Sequence, residues 1–256
     1  MVWRVRLLVV EAGELFAIAA EGLRTTWRIR TWWRDYVEQC VFLIKVTVVP
    51  VMLVAIPLGA TVALQVGQLT RQLGAQSVTG AAVVLGIVRE ASPLAAALLI
   101  AGAGGSAMAS DMGARHIRDE LAAMEVMAVN PVHRLVTPRL WAASTVATGL
   151  VSLIIVAGVG GGFFFNVVVQ GVSPGAYFSS ATQLLQLADL LSALCKAFLF
   201  GMIAGVVACY RGMTCTRSPA GVGIAVKRAV VLTVILVFAV NYVITSLYFV
   251  LVPQRI

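Results

Sequence analysis

Catalysis needs a nucleophile beside a base, a cluster of metal ligands, or a glycine-rich phosphate cradle. The 256 residues hold none of these at a working spacing. His116 and His133 are the two histidines, and neither has a Glu or Cys at ligand spacing. Cys40, Cys195, Cys209 and Cys215 form no C-x-x-C pair and read as small hydrophobes. No nucleophile elbow or P-loop is present, so the chain by itself cannot hydrolyse a nucleotide. No catalytic residue, metal ligand or bound cofactor is expected. What remains is a set of ionisable residues in apolar surroundings: the neighbours Arg89 and Glu90, and Asp189 and Lys196 about two helical turns apart. At membrane depth such groups serve a lipid headgroup or act as structural charges. The structural alternatives are snorkelling to the interface and pairing across subunits. Asp189 and Lys196 share a face but are too far apart to pair with each other.

Those residues need elements to hold them, and composition says which. The chain is 60% hydrophobic and 12% charged, about half the charged share of a soluble domain. That is too little charge for a soluble enzyme's shell and too much apolar content for a disordered chain. No Asp, Glu, Lys or Arg occurs in residues 46–70, 91–110, 140–188 or 229–254. Each run can cross a hydrocarbon core, which takes roughly 20 helical residues. The long third run contains Asn166, Gly171, Ser173, Pro174 and Gly175, which read as a turn. Five helices are expected, near 46–70, 84–112, 137–165, 180–210 and 228–252. The fold class is therefore an all-α integral membrane protein.

Residues 1–45 mix Arg4, Arg6, Arg24, Arg28, Arg30 and Arg34 with Trp3, Leu7, Leu8, Leu15, Phe16, Trp27, Trp32 and Trp33. This is an amphipathic segment suited to a membrane interface. Glu11 and Glu14 argue against a cleavable signal. Lys and Arg concentrate in this segment and in the second and fourth connections, with Arg115, Arg118, Arg134, Arg139, Arg211, Arg217, Lys227 and Arg228. The other side carries Arg71 and Arg89. The positive-inside rule then sets a cytoplasmic N-terminus and, with five spans, an extracytoplasmic C-terminus. The net charge of +8 reads as attraction to anionic lipid, with no nucleic-acid partner.

Ala97, Ala101, Gly105 and Ala109 recur every fourth residue on the second span, with Gly102, Ser106 and Ser110 beside them. Gly201 and Gly205 repeat the pattern on the fourth span. Small residues at this spacing let another backbone approach. Intrachain packing is the simple reading, and a subunit seam the sharper one. Gly158, Gly160, Gly161 and Gly162 are expected to loosen the third span. The inner segment 115–139 shows helical periodicity from 117 to 129, with Ile117, Leu121, Met124 and Ala128 on one face. Asn130-Pro131 ends it. A short amphipathic helix held between two spans reads as a docking element, where a separate ATPase would push, or else as a solvated interfacial helix with no partner.

Several blocks in order now carry a resemblance. Arg89-Glu90-Ala91-Ser92-Pro93, ALLIAGAGGSAMASDMGARHIRDELAAMEVMAVNP, LVTPRLWA, GMIAGVVACYRG and PAGVGIAVKRAVV look like the MlaE/YrbE permease family. PVMLVAIPLGATVALQVGQLTRQLGAQSVTGAA and FFFNVVVQGVSPGAYF look closest to its actinobacterial A-type YrbE members. The resemblance implies an interfacial segment over 1–45 and a permease membrane domain over 46–254. It places a coupling helix at about 115–129, between the second and third spans. It also implies a heterodimer with a B-type YrbE permease, a cytoplasmic ABC ATPase dimer that holds the ATP and Mg, and hexameric MCE proteins outside. The substrate class is hydrophobic lipid: phospholipid, fatty or mycolic acid, or sterol. The family's EExDA coupling motif falls on Asp119, Glu120, Leu121, Ala122 and Ala123, so Ala122 has lost a carboxylate. The glycine and aspartate common after it are Ala128 and Asn130 here. Asp119, Glu120 and Glu125 are the candidate coupling residues, with Arg118 read as facing lipid heads. The competing functions are an ATP-independent channel and a non-transporting scaffold for MCE proteins.

Overall fold

The computed structural model describes residues 2–75 and 78–251, with side chains described outside 2–9 and 28–31. The side chains of Trp3, Arg4, Arg6, Leu7, Leu8, Arg28 and Arg30, and the C-terminal Gln254, lie outside the described residues. Among those described there is no strand. Helix α1 is Val2–Arg24, followed by a 3₁₀ turn Thr25–Arg28 and α2, Ile29–Gln72. Then come α3, Thr79–Ile117, the short α4, Glu120–Val126, and α5, Val132–Val169. The chain ends with α6, Pro174–Leu184, α7, Leu187–Met213, and α8, Pro219–Leu251. Five of these, α2, α3, α5, α7 and α8, are long and apolar enough to cross a membrane.

The helices exceed the expected spans at their polar ends. Helix α2 runs without interruption from Ile29 through Lys45 into the apolar run. The fourth expected helix, 180–210, is instead two. Ser173 and Pro174 do not merely turn the chain; they start α6. The Ser173 hydroxyl accepts from Ala176 N at 3.3 Å, and Pro174 takes the first-turn position where a missing N–H is harmless. Helix α7 then starts afresh because Asp189 reaches back to Gln186 N at 2.9 Å, as the third residue of a capping box does. Asn166, read as part of the turn, is buried in the last turn of α5 and donates to Gly162 O at 3.1 Å.

Four wide π turns interrupt the ladders, at Ile87–Ala91, Ile100–Gly104, Val132–Val136 and Phe165–Val169. Two have an evident cause. Pro93 and Pro138 each follow a π turn by two residues. A proline ring crowds the carbonyl four residues earlier, here Arg89 and Arg134, and a widened turn relieves it.

The chain forms two compact units, and each long helix contributes to both. The first comprises Met1–Val46, Ile100–Val146 and Phe200–Leu236. Its core gathers Met112, Leu121, Val132, Leu135, Val136, Leu140, Val206 and Cys209, with Leu15, Ile18 and Ala19 of α1 laid against them. Part of the N-terminal apolar face thus packs on the protein, while Phe16, Trp27 and Trp33 stay exposed and Trp32 is buried. The predicted small residues pack within this unit. Gly201 lies against the backbone of Ala143 and Ser144, and Gly205 against Leu140. Gly105 faces Ala208, and Ala101 and Ala109 are buried. Around Gly102 there is open space.

The second unit comprises Thr47–Leu99, Ala147–Leu199 and Val237–Ile256. A small core of Ala63, Val83 and Ile87 is flanked by Val62, Val66, Val159 and Phe165. Ala97 is buried. The glycines of α5 do not loosen that helix. A Cβ on Gly59 would strike the Gly158 carbonyl, and one on Gly161 would come within 2.8 Å of Ile56 O. They permit a backbone-to-backbone crossing of α2 and α5, the usual role of small residues between membrane helices. Tyr177 of α6 is buried, and burial pushes its phenol up to about 12.

Candidate functional site

The charges singled out in the sequence meet in the second unit as two linked rungs. In the first rung Arg89 Nε donates to Asp189 Oδ1 at 2.6 Å. Tyr248 OH donates to the same oxygen at 2.5 Å, and the Arg89 guanidinium lies 5.6 Å from the Tyr248 ring centroid. In the second rung Lys196 Nζ donates to Glu90 Oε1 at 2.9 Å. Thr245 Oγ1 bridges the pair, 2.8 Å from Lys196 and 3.0 Å from Glu90. Asn241 Nδ2 donates to Glu90 Oε2 at 3.0 Å. Within the chain the four charges pair with one another.

Local structure explains the geometry. Asp189 and Lys196 stand seven residues apart on one face of α7 and so supply one group to each rung. Asn241, Thr245 and Tyr248 occupy positions i, i+4 and i+7 of α8, again one face. Pro93 has no N–H to offer the Arg89 carbonyl, and Lys196 Nζ takes that place at 3.0 Å. The π turn therefore does two things: it sends Arg89 and Glu90 to different rungs and exposes a carbonyl for the ammonium. The Asp189 and Lys196 side chains are 0% and 3% exposed, while Glu90 is 39% exposed. The sequence reading missed Asn241, Thr245 and Tyr248. Their signal was a polar stripe at helical spacing in an otherwise apolar span.

The second constellation lies in the first unit, around α4. The expected helix over 117–129 is cut to Glu120–Val126. Asp119 and Ala128 bracket it, both left-handed with φ of 56° and 57°. Leu121 is buried and Met124 packs beside it, but Ala128 lies outside the helix and is exposed. Glu120 meets Arg115 at 3.3 Å and Arg118 at 2.7 Å, so Arg118 is an ion-pair partner and does more than face lipid heads. Asp119 meets Arg217 at 2.9 Å on the surface. Asp111 joins Arg115 to Arg139, whose guanidinium is nearly fully buried and also donates to Leu135 O at 3.0 Å. In the sequence Arg139 reads only as one of the inner-side positive charges, and Asp111 looks like an ordinary flanking charge.

The tip of this segment is apolar and open. Val126 is 89% exposed and Met127 66%, and Glu125 beside them makes no ion pair among the described residues. Ala128 holds a conformation that only glycine adopts without penalty. Ala128→Gly is therefore expected to stabilise the protein by about 1 kcal/mol. Thermal unfolding in detergent reads this directly, and a lower midpoint would show the strain is absent.

Comparison with known proteins agrees with this architecture. Residues 36–247 match the family described as permease MlaE. A probable ABC transporter permease protein of Rickettsia typhi is 34% identical over 191 residues, covering 75% of this chain and 74% of the relative. One from Synechocystis is 29% identical over 191 residues, 75% and 73% of the two chains. The intermembrane phospholipid transport system permease protein MlaE of Haemophilus influenzae is 29% identical over 200 residues, 78% and 77%. With five spanning helices and a family match over most of its length, the chain belongs to the MlaE permease family and is a multi-pass membrane transport protein rather than an enzyme.

Proposed function

We propose that the chain is the membrane subunit of an ATP-driven transporter that moves hydrophobic lipid, with phospholipid the class favoured by the name of the Haemophilus relative. The observation that carries this reading is the exposed Val126–Met127 tip at the end of a short helix that an ion pair ties to the end of α3, which a second ion pair ties in turn to α5. A chain with no phosphate cradle needs a separate motor, and an apolar tip rimmed by Glu125 suits a groove on one. Asp119 and Glu120 hold the element in place, and Glu125 is the carboxylate left to meet a basic group on the ATPase. The N-terminus and α4 then face the cytoplasm and the C-terminus the other side of the inner membrane. A B-type permease, a pair of ATPase subunits and six MCE proteins complete the assembly.

The test is co-purification of the ATPase subunit with Val126→Asp and Met127→Asp variants. Both side chains are exposed, so the membrane fold should survive. A charge at the centre of a docking patch costs about 2 kcal/mol or more, which weakens binding roughly 30-fold. ATPase retained in full stoichiometry by both variants would rule out docking at this tip. Absence of any ATPase from the wild-type complex would favour the channel reading instead.

A further inference from the structure

Helix α1 carries carboxylates that do not face solvent idly. Glu11 takes both guanidinium nitrogens of Arg211, at 3.1 and 3.2 Å. Glu14 Oε2 accepts from Tyr210 OH at 2.6 Å. Ten residues after Glu11, Glu21 Oε1 accepts from Asn130 Nδ2 at 2.5 Å. Tyr210 and Arg211 close α7, whereas Asn130 stands between α4 and α5. One helix therefore touches both the end of α7 and the segment that carries the exposed tip. Leu15 and Ile18 between these contacts pack on the core that includes Leu121 of α4. Beyond them Thr25 meets Thr137 at 2.9 Å, and Thr26 accepts from Trp141 Nε1 at 3.0 Å, which fixes the far end of α1 to α5.

Asn130 does two separable things. Its Oδ1 accepts from Val132 N at 2.8 Å and caps α5. Its Nδ2 donates to Glu21. A cap needs only an acceptor, so aspartate could cap equally well, but it has no N–H to give a carboxylate.

We propose that the Glu21–Asn130 contact is a latch through which α1 carries displacement of the α4–α5 segment to the end of α7, with Glu21 and Asn130 as positioning residues for energy coupling. This rests on the ATP-driven reading above. The contact is charge-assisted, lies at the surface and sits on the connection between the two helices that flank the tip. Glu11 and Glu14 anchor the other end of the same rigid helix, so motion applied at Asn130 reaches Tyr210 and Arg211 without passing through solvent.

The experiment uses the complete transporter in phospholipid vesicles and reads ATP hydrolysed per lipid moved. Asn130→Asp keeps the cap but sets two carboxylates against each other. Spin labels at Gly13 and Val129 report whether α1 stays in place. The expected result is a broadened distance distribution and a roughly fivefold rise in ATP per lipid, the scale of losing one exposed hydrogen bond. Adding Glu21→Gln to Asn130→Asp restores a donor opposite the new carboxylate, and both readouts should return to near wild type. A purely structural role predicts lower stability with an unchanged ratio, and that result overturns the latch. Failure of the double variant to rescue overturns it as well. If wild-type vesicles move lipid without ATP, the reading of the transporter fails first, and the spin-label distances then show only an intramolecular contact without a coupling role.

Discussion

Glu90→Leu is expected to destabilise the protein by about 3–5 kcal/mol, because it strands the buried ammonium of Lys196. That side chain is 3% exposed and would keep only a carbonyl and a hydroxyl as partners. Lys196→Met, which breaks the same ion pair, should be milder. The carboxylate it leaves is 39% exposed and retains the Asn241 amide and the Thr245 hydroxyl. The penalty follows the burial of the charge left behind and not the bond broken. Glu90→Leu combined with Lys196→Met removes both charges and should recover most of the loss. Denaturation in detergent, followed by tryptophan fluorescence, orders the three. Equal losses for the two single variants, or strictly additive losses in the double, would mean the rungs are solvated.

Gly201→Leu should be at least as damaging, by a different route. A Cβ at Gly201 would lie 2.6 Å from Ala143 O and 2.7 Å from Ser144 Cα. Both are backbone atoms, so no rotamer change can make room, and α5 and α7 must part within the first unit. Overpacking against mobile side chains costs about 1–3 kcal/mol, and against backbone the value should exceed that range. Gly102→Ala is the matched control, since nothing lies within 4 Å of its Cβ position. It should be neutral or gain up to about 1 kcal/mol from helix propensity. The thermal midpoints of the two variants decide the matter. Similar midpoints would mean that the close approach at Gly201 is absent.

The spans were legible because charge is so costly in hydrocarbon that its absence marks each helix. Their ends were not, since α2 continues past Lys45 into a polar stretch where membrane thickness no longer limits length. Ser173-Pro174 was read as a turn because the same residue types start helices and make turns; only the Ser173 bond to Ala176 N separates the two. Asp189 reads in the sequence as a charge, and nothing there marks it as the capping-box residue that starts α7 afresh. Arg89, Glu90, Asp189 and Lys196 were found one by one. Their pairing depends on contacts about 100 residues apart, which periodicity along a single helix does not contain. The apolar tip at Val126 and Met127 was hidden for a related reason: an exposed valine and a buried one look alike until the partner elements are placed.

The two rungs also impose an order on biosynthesis. Arg89 and Glu90 leave the ribosome 100 residues before Asp189 and 151 before Asn241. Until then α3 carries a cation and an anion whose partners on α7 are not yet made, an unfavourable state in an otherwise apolar span. The two ion pairs can close only once α7 has been made, and the Asn241, Thr245 and Tyr248 donors come only with α8. A chain that stops before Asp189 would keep both charges of α3 without their partners, and one that stops before Asn241 would hold the ion pairs without the α8 donors.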